Sequence, residues 1–251
     1  MITRENLEKL ATQYQMGVFP NIVREYFQHF FLSELYKLLD SEKVLFKGGT
    51  ALRIIYNSPR FSEDLDFSVF GVENVKHYVE SFFIKVLHEI EKSGVKVELG
   101  EKVGSTSGGY FGLATFKIMD YSPVAVEINV SSRNGKVVNG EADSVTNNFV
   151  PTYTVIHLPQ SELVEEKIFG ALVERKKPRD FYDLYFMLRS RMLSADHKNR
   201  LGKLQKMILN EISKTDFKSE LSAFLPADQQ AVARDFQRAL RNEMERQLSS
   251  I

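Results

Sequence analysis

Cysteine is absent from this 251-residue chain, which excludes a disulfide framework and thiol catalysis. No run of about 18 apolar residues occurs, so no segment reads as a membrane span. An excess of charge is missing too: Lys plus Arg and Asp plus Glu each number 33, and the net charge is zero. That argues against capture of nucleic acid by bulk electrostatics, though it leaves room for a local basic patch. His29, His77, His88, His157 and His197 fall at no metal-ligating spacing. Internal repeats and low-complexity tracts are lacking. The first residues mix acidic and basic side chains where a signal sequence would be apolar, so a cytoplasmic location is expected.

What is present is ordinary globular material, 43% hydrophobic and 26% charged. The length suits one large domain or two modest ones, because single cores stop growing at roughly 250–300 residues. Leu7, Leu10, Val23, Tyr26, Phe27, Phe30, Phe31, Leu35 and Leu38 recur at helical spacing and predict helix over 5–40. A short apolar strand, Val44 to Phe46, runs into Gly48-Gly49-Thr50 and a brief helix through Tyr56, broken at Pro59-Arg60. Leu65, Phe67 and Val69 alternate with Asp64, Asp66 and Ser68, the period of a half-buried strand. A helix is expected over 73–92, stopped by Gly94, and three strands over 95–131. A turn-rich stretch then reaches Pro151, and beyond Pro159 about four helical segments follow, with Pro178 and Pro226 near two helix starts. The expected class is α+β: an α/β part over 1–157 with a mixed sheet and flanking helices, then a helical part over 158–251.

The chemistry concentrates in Lys47-Gly-Gly-Thr-Ala-Leu-Arg53 and Arg60-Phe-Ser-Glu-Asp-Leu-Asp-Phe67. Adjacent glycines let backbone N–H groups approach an anion, and the Thr50 hydroxyl can face a phosphate at a helix start. A turn into a capped helix accounts for Gly-Gly-Thr equally well without a ligand. Asp64 and Asp66 are harder to explain that way. Two residues apart on a strand, they share a face with Cα atoms about 6.5–7 Å apart, so their oxygens can converge on metal. Aspartate is depleted in strands, and two like charges on one face repel unless a cation lies between them. Glu127, in Val-Ala-Val-Glu-Ile-Asn-Val, would add a third acid if its strand lay beside the first. Such an oxygen-only set suits Mg2+ or Mn2+ and not zinc. An exposed glutamate on a surface strand competes more strongly as a reading of this residue than a bare polar face does for the aspartates.

A second cluster lies in the helical part. Lys167 neighbours an apolar helix face, and Asp180 and Asp183 stand at i, i+3 near a start marked by Pro178. Favourable interaction of Asp180 with a helix dipole explains much of this without function. Most phenylalanines follow core periodicity, with Phe181 and Tyr182 as candidates to lie near a cleft. Arg234, Arg238, Arg241 and Arg246 approximate one stripe on the last helix, which reads first as a solvated face.

Taken together, Phe46-Lys-Gly-Gly-Thr-Ala-Leu52, Arg60-Phe-Ser-Glu-Asp-Leu-Asp-Phe67, Lys167 and Arg179-Asp-Phe-Tyr-Asp-Leu184 resemble the AbiEii/AbiGii toxin family of the polymerase-beta-like nucleotidyltransferase superfamily. The resemblance implies a mixed sheet followed by a helical region closing a nucleotide cleft. It places Lys47, Gly48, Gly49 and Thr50 on a nucleoside triphosphate and Asp64 and Asp66 on metal. Arg60 and Ser62 would order the nucleotide loop, Lys167 and Arg179 would reach phosphate, and Asp180 would be a further essential acid. Glu127 is the least secure of the set, because the third acid varies in position and type across the superfamily. It also implies a DNA-binding antitoxin encoded nearby and acceptors such as tRNA 3′ ends or protein. The leading expectation is a metal-dependent nucleotidyltransferase whose general base is Glu127 or Asp66. The rival is an inactive nucleotide-binding module acting through a protein partner. Retention of both Asp64 and Asp66 favours the enzyme.

Overall fold

The computed structural model describes residues 2–16, 18–100, 104–106, 108–133 and 137–248. By their contacts the residues divide into two compact units: Met1–Asn57 with Phe61–Leu158, and Ser58–Arg60 with Pro159–Ile251. Three residues before the Asp64 segment therefore group with the helical unit.

In the α/β unit, α1 (Arg4–Gln13) is capped by Thr3, whose side chain accepts the Asn6 amide. A kinked segment over Val18–Ile22 leads into α2 (Val23–Leu35). The helical stretch expected over 5–40 is broken into two helices, because Tyr14 ends the first and Phe19 is extended ahead of Pro20. Next come β1 (Val44–Lys47), α3 (Gly48–Ile54), β2 (Leu65–Phe70) and α4 (Val75–Lys92). Strands β3 (Lys96–Leu99), β4 (Gly104–Thr106), β5 (Gly109–Lys117), β6 (Val124–Arg133), β7 (Glu141–Val145) and β8 (Tyr153–His157) complete the unit. The eight strands form one mixed sheet, ordered β3-β5-β6-β2-β1-β8-β7, with β4 paired to β5. Sequence periodicity points to three strands over 95–131; the structure has four, the additional one being the three-residue β4.

Register fixes what each face presents. Phe46 lies opposite Phe67, Phe67 beside Val130, and Val130 opposite Tyr110, so across β1, β2, β6 and β5 this row carries apolar and aromatic side chains. Helices α2 and α4 cover that face: Phe31 meets the rings of Phe67 and Phe83, and Phe27 stacks on Phe116 at 4.6 Å. One residue along, the neighbouring row is Lys47, Asp66 and Asn129. Because strand side chains alternate, the row that must avoid the core carries the polar groups.

The helical unit contains α5 (Gln160–Val164), a π-helical run over Glu165–Leu172 and α6 (Val173–Arg175), followed by α7 (Pro178–Arg189). Helices α8 (Ala195–Ile212), α9 (Phe217–Phe224), α10 (Gln230–Arg234) and α11 (Phe236–Leu248) follow. Pro178 is the first residue of α7, where its fixed φ suits a helix start and its missing N–H costs nothing. Phe181 and Tyr182, expected near a cleft, are buried instead, packed on Phe217 and Phe236 respectively. Their position on α7 aims them into the core of this unit. Among the described residues no helix is long and apolar enough to cross a membrane.

Candidate active site

Lys47 ends β1, and the chain turns at once into α3. Gly48 makes that turn with φ +84°, a conformation that L side chains rarely adopt. A Cβ on Gly48 would lie 2.2 Å from Asp66 Oδ2, so the backbone turn sits directly against the carboxylate. Lys47 is 7% exposed and its Nζ donates to Ser131 Oγ at 3.3 Å. On the other side of Asp66, Asn129 Nδ2 donates to Oδ1 at 3.3 Å. A partly buried carboxylate is therefore flanked in register by a buried ammonium and a neutral amide, with a glycine turn against it.

Asp64 stands differently from expectation. Strand β2 begins at Leu65, so Asp64 precedes the ladder and the alternation argument covers Asp66 alone. The Asp64 backbone is held instead: its carbonyl accepts the Thr50 hydroxyl. Thr50 is fully buried. The reading that its hydroxyl faces a phosphate is corrected accordingly; this side chain ties α3 to the residue ahead of β2. Ser62, partly buried, offers its carbonyl to Gln28 Nε2 at 3.0 Å, which orders the loop through its backbone. Gly49 is buried within the first turn of α3.

The three-acid convergence also needs correction. Register puts Ile128 beside Leu65, which brings Glu127 level with Asp64, but the Glu127 side chain is exposed. Among the described residues no three or more His, Asp or Glu side chains gather where they could hold a metal. The neighbour that the sheet gives Asp66 is Asn129, an amide that the sequence pattern passed over. Its signal was present in the same alternation that singled out Glu127.

In the helical unit the charged side chains close on one another. Asp183, 1% exposed, accepts Arg60 Nε at 2.9 Å and Arg60 Nη2 at 2.8 and 3.1 Å. Its Oδ2 also accepts Lys167 Nζ at 2.8 Å. Burial works to raise the Asp183 pKa, yet Arg60 and Lys167 outweigh it and hold the carboxyl below its ordinary range. Arg60 is itself 3% exposed. Its guanidinium is engaged in a buried fork with Asp183, which ties the residues ahead of the Asp64 segment to α7. Asp180, also buried, accepts the Lys177 amide at 3.2 Å in a capping box and pairs with Arg175 at 2.5 Å. Arg179 is partly buried, with Nε 4.0 Å from Glu220. Sequence reasoning put Asp180 in the site and left out Asp183, the acid on which this cluster is built. Their i, i+3 spacing gave no means of telling cap from hub.

A family model described as nucleotidyl transferase AbiEii toxin, type IV TA system, matches residues 31–249. Among solved structures, a candidate nucleotidyltransferase from H. pylori is 16% identical with a TM-score of 0.58, over 91% of this chain and 97% of that one. JHP933 from Helicobacter pylori is 15% identical with a TM-score of 0.56, over 100% of this chain and 97% of that one. At those identities the likeness is one of fold. No protein of curated description matches.

Proposed function

The chain belongs to the AbiEii family of nucleotidyltransferase toxins, and from that premise we propose that it moves a nucleoside monophosphate from a nucleoside triphosphate to an acceptor at the corner formed by Gly48, Lys47 and Asp66. The observation that carries the reading is the contact between the Gly48 turn and the Asp66 carboxylate. Backbone amides that could cradle an anion and a carboxylate that would repel one stand in the same corner. Asp66 would hold a divalent cation, whose charge would reconcile the two.

The donors fit such a cation. Asp64, Asp66 and the amide of Asn129 offer oxygen alone, which suits Mg2+ or Mn2+. When bound, the ion would offset the charge of the triphosphate and of the departing pyrophosphate. The chain's own part is positioning: Asn129 orients Asp66, Thr50 fixes the Asp64 backbone, and Lys47 adds positive charge at the foot of the row. Asp66 or Glu127 takes the proton of the attacking hydroxyl. Lys167 and Asp180 are the contributions the helical unit would make, Lys167 with its ammonium oriented by Asp183 and Arg179 as an accessory phosphate contact. The acceptor is tRNA or protein, the setting is the cytoplasm, and the antitoxin is a DNA-binding protein encoded beside it.

The test is incubation of the purified protein with each labelled triphosphate, Mg2+ or Mn2+, and total cellular RNA. Label in the tRNA band or in protein names the acceptor, provided Asp66→Asn abolishes it. Triphosphate binding with no transfer to any acceptor would instead favour the inactive binding module.

A further inference from the structure

A pocket of about 180 Å³ opens in the α/β unit, lined by Tyr14, Glu25, His29, Arg53, Asn147 and Phe149 among others. Arg53 and Ile54 place it at the C-terminal end of α3, roughly 8–9 Å of helical rise from Gly48, and the proposed transfer uses none of these side chains. Their polar groups are held in fixed orientations. Glu25, 7% exposed, accepts Arg53 Nε and Nη2 at 3.2 Å each, so this pair adds no net charge to the wall. His29 is 5% exposed, with Nδ1 2.9 Å from the Tyr153 hydroxyl. Burial, and then the charge of Arg53, pull its pKa down to about 3, which leaves the ring neutral at ordinary pH. The Tyr153 hydroxyl has no other acceptor among the described residues; donating to Nδ1, it leaves the imidazole proton on Nε2.

Two further donors are left unused by the fold's own bonding. Asn147 Oδ1 accepts the amides of Phe149 and Val150 at 2.8 and 3.0 Å, which fixes the orientation of the amide. Its Nδ2 is buried and meets no acceptor among the described residues. Tyr14 Oη accepts Asn148 Nδ2 at 3.1 Å, leaving its own proton for another acceptor. Phe149, stacked on His29 at 5.3 Å, supplies an aromatic wall.

We infer that this pocket binds a neutral planar heterocycle edged with carbonyl and ring-nitrogen acceptors, of the size and chemistry of a free nucleobase. The donors call for acceptors, and the aromatic wall favours a flat partner. Size agrees, since a cavity of about 150 Å³ holds benzene. A phosphorylated ligand fits less well, because Arg53 is the one Lys or Arg among the described lining residues and Glu25 already balances it.

Saturation-transfer NMR on the full chain with adenine, hypoxanthine, cytosine and uracil, each at millimolar concentration without metal, tests the inference. At least one base should receive saturation and show cross-relaxation to the ring protons of His29 and Phe149. Asn147→Asp keeps the oxygen that caps Phe149 and Val150 but replaces the donor by an acceptor, and should raise the dissociation constant about tenfold or more. Absence of binding by all four bases overturns the proposal. So does binding that survives Asn147→Asp and is lost in Asp66→Asn, which would put the base at the transfer site. Should Asn147→Asp fail to fold, the ring contacts in the unaltered protein decide: contacts to other residues, with none to His29 or Phe149, overturn it.

Discussion

Asp66 of the α/β unit and Asp183 of the helical unit stand in opposite surroundings. In the α/β unit Asp66 is partly buried and accepts a long 3.3 Å bond from a neutral amide. In the helical unit Asp183 is enclosed and accepts four bonds of 2.8–3.1 Å from two cations, while Asp180 caps a helix and pairs with Arg175. A carboxylate oriented by a neutral neighbour keeps its charge available to a ligand. One surrounded by ammonium and guanidinium groups has that charge answered within the fold. Asp66 and Asp183 thus differ, by surroundings alone, as an acid that can act and an acid that holds structure.

Substitutions should separate the two kinds. The largest effect on activity is expected from Asp66→Asn, which should abolish nucleotide transfer. Its stability should stay within about 0.5 kcal/mol, as for substitutions away from buried networks. Severe loss of stability in a denaturant titration of the metal-free protein would make Asp66 structural and erase the contrast. Asp183→Ala should do the reverse. It leaves Arg60 and Lys167 facing each other without their carboxylate, and breaking a buried pair from one side costs about 3–5 kcal/mol. A melt indistinguishable from the unaltered protein would show that the helical unit does not depend on this cluster. Gly48→Ala comes next. Its left-handed φ carries a penalty of about 1–3 kcal/mol, and the added methyl would press on Asp66. Transfer should fall even in preparations that remain folded, as checked by circular dichroism beside the activity assay.

Much of the α/β unit could be read in advance because it follows strand periodicity. Leu65, Phe67 and Val69 are buried as their alternation requires, and Val124, Val126, Ile128 and Val130 repeat the pattern on β6. Strand β7 was illegible for a physical reason: Glu141, Ala142, Asp143 and Ser144 are all exposed, so no apolar alternation marks this edge. Strand β8 lay unassigned between Pro151 and Pro159 although Tyr153, Val155 and His157 are buried in alternation. Of the site, Asp66 and the glycine turn were legible, since backbone geometry dictates residue type there. Asn129 showed in the alternation of β6, but only register makes it the neighbour of Asp66; Asp183 and the Arg60 fork were not legible, because long-range pairing chooses them. Nor does any local pattern reveal that Ser58–Arg60 groups with residues a hundred positions away.

The smallest effect is a titration, and it sets one buried arginine–carboxylate pair in each unit against the other. Glu25 accepts Arg53 in the α/β unit, and Asp183 accepts Arg60 together with Lys167 in the helical one. For Glu25, burial raises the carboxyl pKa and the single arginine only partly opposes it. For Asp183, burial also pushes upward, but two cations prevail and the value falls below that of an ordinary aspartate. The two groups therefore contribute to stability with opposite signs. Asp183 stabilises the fold above the unfolded aspartate value of about 3.9, and that contribution is lost as pH falls through its lower folded value. Glu25 favours the fold below the unfolded glutamate value of about 4.3, and that contribution is lost as pH rises through its raised folded value. Carboxyl-carbon NMR should accordingly find the Glu25 midpoint above, and the Asp183 midpoint below, those of the exposed acids. Lys167→Met removes one of the two cations while keeping most of the apolar stem. It should move the Asp183 midpoint upward and leave Glu25 where it was. Midpoints displaced in the same direction, or an Asp183 midpoint unmoved by Lys167→Met, would show that enclosure alone governs both acids and that the second cation is not what sets the two units apart.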